Sequence, residues 1–269
     1  MIRRTLPSTQ ASTFCVELPN AKKHGMPTPT GTGFFVSPDG WFVTAGHVIT
    51  ENTASDGPVR KDLDQAWLMK ETRLAGSPPG AMCQAVSFGY IIPHLDFALL
   101  KVNFGANANK AWLKGKSEFP FLSVSRRQLE EGESVYSFGY PLSNAMARDL
   151  GGIVVGEESL CPRVTSAIIS STIEQTKMLT TDGDPKVYVL DKALNYGNSG
   201  GPIISAETGN VHALCSRFQP VFVPQMHLPD AKGNPIPIAI PSLYGVVSSL
   251  GNPEILALLS QLNVPITDE

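Results

Sequence analysis

Glycine and proline punctuate this chain from end to end, 24 and 22 times in 269 residues, and only short β-rich runs lie between them. Such runs occur at 33–36, 41–44, 98–102, 134–138, 187–190 and 211–215. Short strands with frequent turn signals predict a mainly β barrel or sandwich. The repeated strand and long amphipathic helix of an α/β chain is missing. Ser37-Pro38-Asp39-Gly40 joins two apolar runs, and because proline presets φ and glycine tolerates positive φ, a tight hairpin is expected there.

An Asn-, Ala-, Gly- and Lys-rich stretch at 103–119 reads as a connection between two β units, with an internal boundary near 118. A second irregular stretch at 218–237 carries Pro220, Pro224, Pro229, Pro235 and Pro237. It is too proline-broken for a central strand and is expected to be a surface loop. Pro253 then opens a run of good helix formers with an apolar face, which predicts a docked C-terminal helix over about 252–262. The chain therefore reads as a single domain over 1–269, with β units at about 12–117 and about 118–250 ahead of that helix. It has no repeat of solenoid or propeller period.

Charge narrows the partners. A net charge of −3, with no long basic or acidic block, lacks the footprint for nucleic acid or an anionic membrane surface. The pairs Arg3-Arg4, Lys22-Lys23 and Arg126-Arg127 read as solvated surface. Cys15, Cys83, Cys161 and Cys215 lie far apart without a C-x-x-C pair, so neither structural zinc nor a disulfide framework is expected. No cofactor is implied. Arg3-Arg4 fails as a twin-arginine signal because the following residues are polar and broken by Pro7. No apolar run reaches the roughly 18 residues that cross a bilayer, so membrane insertion is not expected and the cytoplasm is the default location.

The sharpest local feature is Asn195-Tyr196-Gly197-Asn198-Ser199-Gly200-Gly201-Pro202. Glycines packed around a serine leave its hydroxyl exposed and nearby backbone donors free. Acyl transfer needs such donors aimed at the carbonyl oxygen where charge develops, and the N–H groups of Gly197 and Ser199 are the candidates. The same pattern also serves as an ordinary hairpin turn, so the serine needs partners: a histidine base, itself oriented by a carboxylate. His47 follows Phe42-Val43-Thr44-Ala45-Gly46, where a strand ends beside small residues. Asp96 stands within Leu95-Asp96-Phe97-Ala98-Leu99-Leu100, where an unpaired buried charge would be costly. Taken alone, a core histidine and a strand-end capping aspartate remain open readings of these two.

Together the segments resemble the trypsin/chymotrypsin clan, and more closely its HtrA-like (DegP-like) branch. The matching text is Gly31-Thr32-Gly33-Phe34, Thr44-Ala45-Gly46-His47-Val48, the Asp96 segment and Gly197-Asn198-Ser199-Gly200-Gly201-Pro202, with Ser137-Phe138-Gly139-Tyr140-Pro141 and Ile238-Ala239-Ile240-Pro241-Ser242. The resemblance implies a chymotrypsin-like double β-barrel and a serine endopeptidase acting on proteins or peptides. It further implies His47 as general base, Asp96 as its orienting partner and Ser199 as nucleophile. By position relative to the serine, it places Ala193 and Leu194 at the base of an apolar specificity pocket and Ser216 on its wall, which predicts small or medium aliphatic residues before the scissile bond. Asp191 and Arg217 lie close enough to alter that preference.

The pattern departs from the family in places. No Ile-Val-Gly-Gly-like start is present, and Asn198 stands where secreted trypsin-like enzymes usually carry the aspartate that pairs with a new N-terminus, so activity is expected to be constitutive or set by an activating protein partner. The residues after Leu250 are too few for the PDZ domain usual in HtrA proteins. An α/β-hydrolase also uses G-x-S-x-G, but in the order serine, acid, histidine and with a helix after the serine, which Gly200-Gly201-Pro202 opposes. The alternative outside enzymes is a catalytically silent peptidase fold used as a binding or scaffold module.

Overall fold

A computed structural model describes residues 2–19, 27–70, 82–83, 86–149, 154–174 and 186–269. The first sheet contains β1 (Thr13–Pro19), β2 (Pro27–Phe35), β3 (Trp41–Ala45), β4 (Trp67–Met69), β5 (Met82–Cys83), β6 (Val86–Ile92) and β7 (Phe97–Val102). Their order is β5-β4-β1-β2-β3-β7-β6, and among the described residues the two outer strands do not pair, which leaves a half-barrel. The second sheet is built from β8 (Val124–Ser125), β9 (Ser134–Gly139), β12 (Arg163–Glu174), β13 (Lys186–Leu190), β14 (Pro202–Ser205), β15 (Val211–Pro229), β16 (Pro235–Ser249) and β17 (Ile266–Thr267), while β10 (Asn144–Asp149) and β11 (Val154–Ser159) form a separate ribbon. Because β14 pairs with both β9 and β15, six of these strands close into a barrel, β14-β9-β12-β13-β16-β15. The expected mainly β architecture is therefore present as one closed barrel and one half-barrel, and each of the six short runs read from the sequence lies in or against a strand.

The Ser37–Gly40 turn forms the expected hairpin between β2 and β3. Val36 N–H donates to the Trp41 carbonyl at 2.9 Å, and Trp41 N–H donates to the Ser37 hydroxyl at 2.9 Å. In β7 the run Phe97-Ala98-Leu99-Leu100 is wholly buried, the signature of a strand covered on both faces. The phenylalanine and leucine side chains each contribute about 1.5–3 kcal/mol on leaving water. This burial fixes where β7 begins, and Asp96 therefore sits at the rim of the core.

Two helical elements were not legible in the sequence. α1 (Ile2–Ser12) forms despite Pro7, which lacks the N–H a helix interior needs. Tertiary contact holds it in place: the buried Tyr136 hydroxyl contacts both Thr5 (2.7 Å) and Thr9 (2.9 Å), while Thr9 and Ser12 donate back to the carbonyls of Thr5 and Ser8. Within the 103–119 connection, α2 (Asn107–Leu113) lays Trp112 against Phe14 and Phe119, with Phe119 stacked on Phe35 at 4.5 Å. The C-terminal helix α3 (Pro253–Gln261) starts as expected, its Asn252 side chain accepting from Glu254 N–H at 2.9 Å, and it buries Ile255 and Leu259 in the half-barrel core.

The stretch at 218–237 corrects the expectation of a surface loop. It belongs to β15 and β16, which run on beyond the closed barrel as an antiparallel ribbon with Pro220 opposite Pro241 and Pro229 opposite Pro235. Asp230, whose carboxylate accepts from the N–H groups of Lys232 and Asn234, turns the chain at the tip. A two-stranded ribbon has one ladder and open outer edges. Proline therefore costs a bond only where its nitrogen faces the partner, and register shifts at Phe218/Pro220 and Phe222/His227 absorb the rest.

His212 on β15 carries a pH prediction. It is buried, its Nδ1 lies 2.9 Å from the Arg127 carbonyl, and its Nε2 has no partner among the described residues. Burial lowers its pKa, against the hydrogen bond to the Arg127 carbonyl, which acts to raise it; the Arg127 guanidinium lowers it further and Glu133 opposes more weakly. The unfolded state therefore takes up a proton first as pH falls below 6.5, so stability present above that value declines toward the lowered folded pKa. The carboxylate of Glu133, held below its usual range by Arg127, gives way only below 4.5. Urea midpoints at pH 7.5 and 5 are expected to fall for wild type, and to fall distinctly less for His212→Gln.

Candidate active site

β3 ends at Ala45, and a single 3-10 turn, Gly46–Val48, turns His47 outward from the half-barrel. A second 3-10 turn, Pro93–Leu95, delivers Asp96 in the left-handed region at φ 50° and ψ 38°. An L-residue there costs about 1–2 kcal/mol. The cost is met by fixed bonds, since Asp96 N–H donates to the Pro93 carbonyl at 3.0 Å and its carbonyl accepts from Gly46 N–H at 2.9 Å. The carboxylate then faces three donors. Oδ1 accepts from His47 N–H at 3.0 Å, Oδ2 lies 2.8 Å from His47 Nδ1, and the Ser216 hydroxyl donates to Oδ2 at 2.6 Å. An ionised carboxylate only accepts, so the imidazole proton sits on Nδ1 and leaves the Nε2 lone pair available as a base.

Ser199 lies in the turn between β13 and β14, with glycines on either side where side chains would not fit. Gly197 has φ +95°, and a Cβ there would lie 2.4 Å from the Tyr140 carbonyl oxygen; Gly200 has φ +83°, and a Cβ there would lie 2.2 Å from the Thr32 carbonyl oxygen. The four consecutive carbonyls from Tyr196 to Ser199 are all occupied. Tyr196 accepts from Leu142 N–H at 2.9 Å, Gly197 from the Thr32 hydroxyl at 2.5 Å, Asn198 from Gly201 N–H at 2.8 Å and Ser199 from Thr32 N–H at 2.7 Å. In a trans peptide the N–H points opposite its carbonyl. The N–H groups of Gly197 and Ser199 are thereby turned away from these donors, and among the described residues neither has an acceptor.

His47, Asp96, Ser199, Gly197 and Ser216 line one cleft of about 670 Å³, which also reaches Leu194, Val187 and Val246. The structure thus gathers the three sequence candidates and Gly197 at a single surface. No hydrogen bond joins Ser199 to His47. Leu194 is buried and lines the cleft; Ala193 is half-buried and does not line it. Ser216 lines it too, but its hydroxyl is committed to Asp96, a role the sequence reading missed. Asp191 is drawn off to β12, where it accepts from Ile168 N–H at 2.9 Å, and the Arg217 side chain lies outside the described residues. Cys215 borders the cleft, but burial and then the Asp96 charge push its thiol pKa up, so the thiolate that nucleophilic attack requires is suppressed. Among the described residues no group of three His, Cys, Asp or Glu could hold a metal ion, and no helix is long and apolar enough to cross a membrane.

Comparison with known proteins bears on the family and the fold. The chain is 28% identical over 187 residues to "Serine protease HTRA1" of Xenopus laevis, covering 69% of this chain and 31% of that protein. It is 28% identical over 184 residues to "Serine protease HTRA4" of Homo sapiens, covering 68% and 29%. It thus spans less than a third of the length of these curated relatives. Among solved structures, "HtrA-type protease AlgW with decapeptide" shares the fold with a TM-score of 0.56 at 15% identity, covering 98% of this chain and 67% of that one. The family model described as "Trypsin-like peptidase domain" matches residues 31–214, and the chain belongs to that family.

Proposed function

We propose that this protein is a serine endopeptidase that hydrolyses peptide bonds through an acyl-enzyme, with Ser199 as nucleophile, His47 as general base and Asp96 as orienting acid. The observation that carries the reading is the coincidence, in one cleft, of the Asp96-bound imidazole with two unused N–H groups at the serine turn. Ser199 Oγ attacks the substrate carbonyl and its proton passes to His47 Nε2. The oxyanion that forms is held by the N–H groups of Gly197 and Ser199, of which one typically lowers the barrier by about 2.7–4 kcal/mol. The imidazolium protonates the leaving amine, and water, activated by the same ring, then releases the acyl group.

Leu194, Val187 and Val246 give the cleft that holds Ser199 an apolar part to its lining, which supports small or medium aliphatic residues before the scissile bond. Asn198 cannot form an ion pair with a freed N-terminus, which supports activity that is constitutive or switched by a protein partner. The missing Ser199–His47 hydrogen bond favours a second reading, a silent peptidase fold acting as a scaffold. A fluorophosphonate probe separates the two: it labels wild type and spares Ser199→Ala if the protein is an enzyme. Failure to label wild type, alone and with peptides that carry aliphatic residues, selects the scaffold.

A further inference from the structure

The geometry points to Thr32 as a positioning residue whose hydroxyl, reaching across from the half-barrel, fixes the turn that forms the oxyanion site. The inference rests on the serine-peptidase reading and adds to it a residue outside the triad and outside the donors themselves.

Thr32 lies on β2 and is fully buried. Its hydroxyl donates to the Gly197 carbonyl at 2.5 Å and accepts from Tyr140 N–H at 3.1 Å. Its own N–H donates to the Ser199 carbonyl at 2.7 Å, and its carbonyl accepts from the Thr44 hydroxyl at 2.7 Å. One residue of the half-barrel therefore holds two carbonyls of the serine turn, which belongs to the closed barrel. Through Thr44 it is also tied to β3, the strand that delivers His47.

The placement of the hydroxyl matters because of which peptide it holds. The two candidate donors, Gly197 N–H and Ser199 N–H, flank the Gly197–Asn198 peptide. That plane is pinned at both ends, its carbonyl by Thr32 Oγ1 and its N–H by the Asn195 carbonyl at 3.0 Å. The torsions on either side, which set where the two donors point, are then defined relative to a fixed plane. Backbone contacts alone would leave the Gly197 carbonyl without this donor, and Gly197, at positive φ and without a side chain, resists rotation less than any other residue. Without the hydroxyl the donors are expected to remain present but to diverge. A misplacement of about 1 Å at such a site costs about 100-fold in rate.

The test compares wild type with Thr32→Val, which replaces the hydroxyl by a methyl group at nearly equal volume, Thr32→Cys, which offers only a weak donor, and Thr32→Ser, which keeps the hydroxyl. With a chromogenic peptide carrying an aliphatic residue before the scissile bond, Thr32→Val and Thr32→Cys are expected to lose about 100-fold in kcat with KM within about twofold. Thr32→Ser is expected to retain kcat within a few-fold of wild type. Inhibition by a peptide boronate, whose tetrahedral adduct fills the oxyanion site, is expected to weaken in parallel with kcat, while binding of the corresponding product acid is not. Unchanged kcat in the valine variant, equal losses in the serine and valine variants, or a rise in KM at constant kcat each overturn the positioning role. Loss of the native circular-dichroism spectrum in both the valine and cysteine variants overturns it too, because the hydroxyl would then hold the fold rather than the turn. If wild type neither turns over nor takes the fluorophosphonate, the peptidase reading fails first, and the positioning role falls with it.

Discussion

Ser199→Ala and His47→Ala are each expected to reduce peptide turnover by on the order of 10⁶, and the double variant by little more than either alone. The near-equality is the informative part. A hydroxyl is a poor nucleophile near neutral pH, and a base that has no hydroxyl to deprotonate contributes nothing, so the two groups act as one unit. Residual rate in both variants is expected to come from the N–H groups of Gly197 and Ser199 and from the cleft. Alanine at 199 keeps its backbone donor, so the variant is expected to fold and to bind substrate as wild type does. Steady-state kinetics on an aliphatic peptide, with a thermal denaturation control, decides the matter; a Ser199→Ala protein that cleaves at the wild-type rate removes Ser199 from the reaction.

Asp96→Asn is expected to lower kcat by about 10⁴ with little change in KM. The substitution preserves shape, and asparagine is among the residues that tolerate the left-handed backbone at 96, so the fold is expected to survive. What changes is the direction of a proton. The carboxylate now only accepts, from His47 Nδ1, His47 N–H and the Ser216 hydroxyl. A carboxamide that turns its NH₂ toward Nδ1 needs a bare nitrogen there, which moves the ring proton to Nε2 and blocks the base facing Ser199. An amide that turns its oxygen toward Nδ1 still accepts from the Ser216 hydroxyl, but sets its NH₂ against the His47 backbone N–H, a donor facing a donor. The pH profile of kcat distinguishes the outcomes, and a variant within tenfold of wild type shows that the carboxylate does not set the tautomer.

Legibility in the sequence followed the range of the interaction. The Ser37–Gly40 hairpin, the strands around 41–45 and 97–102 and the start of α3 depend on neighbours in sequence, and local chemistry identified them. Ser199 and His47 stood out through the motifs around them, while Asp96, locally as good a strand-end cap, rested more on its order in the chain and on the family resemblance. The bonds that Ser216 and Thr32 make were not legible, because they are contacts across 120 and 165 residues, to Asp96 and Gly197. A serine on a strand and a threonine between glycines look the same whether or not the other barrel brings an acceptor. The prolines of 218–237 misled for a related reason: the usual cost of proline assumes a ladder on both sides, whereas here open ribbon edges relieve it.

The backbone of Asp96 also bears on how this protein's descendants would drift. A residue at φ 50° with two fixed main-chain bonds is biased toward glycine, asparagine, aspartate and histidine by conformation, before any reaction is considered. Selection for the turn and selection for chemistry therefore ask for nearly the same letter. A lineage that abandoned hydrolysis would still feel that bias at 96, while the hydroxyls at 199 and 216, under no such backbone constraint, would be free to scatter. Aspartate at 96 is thus a poor marker of a living enzyme among relatives; its retention together with both serines is a good one.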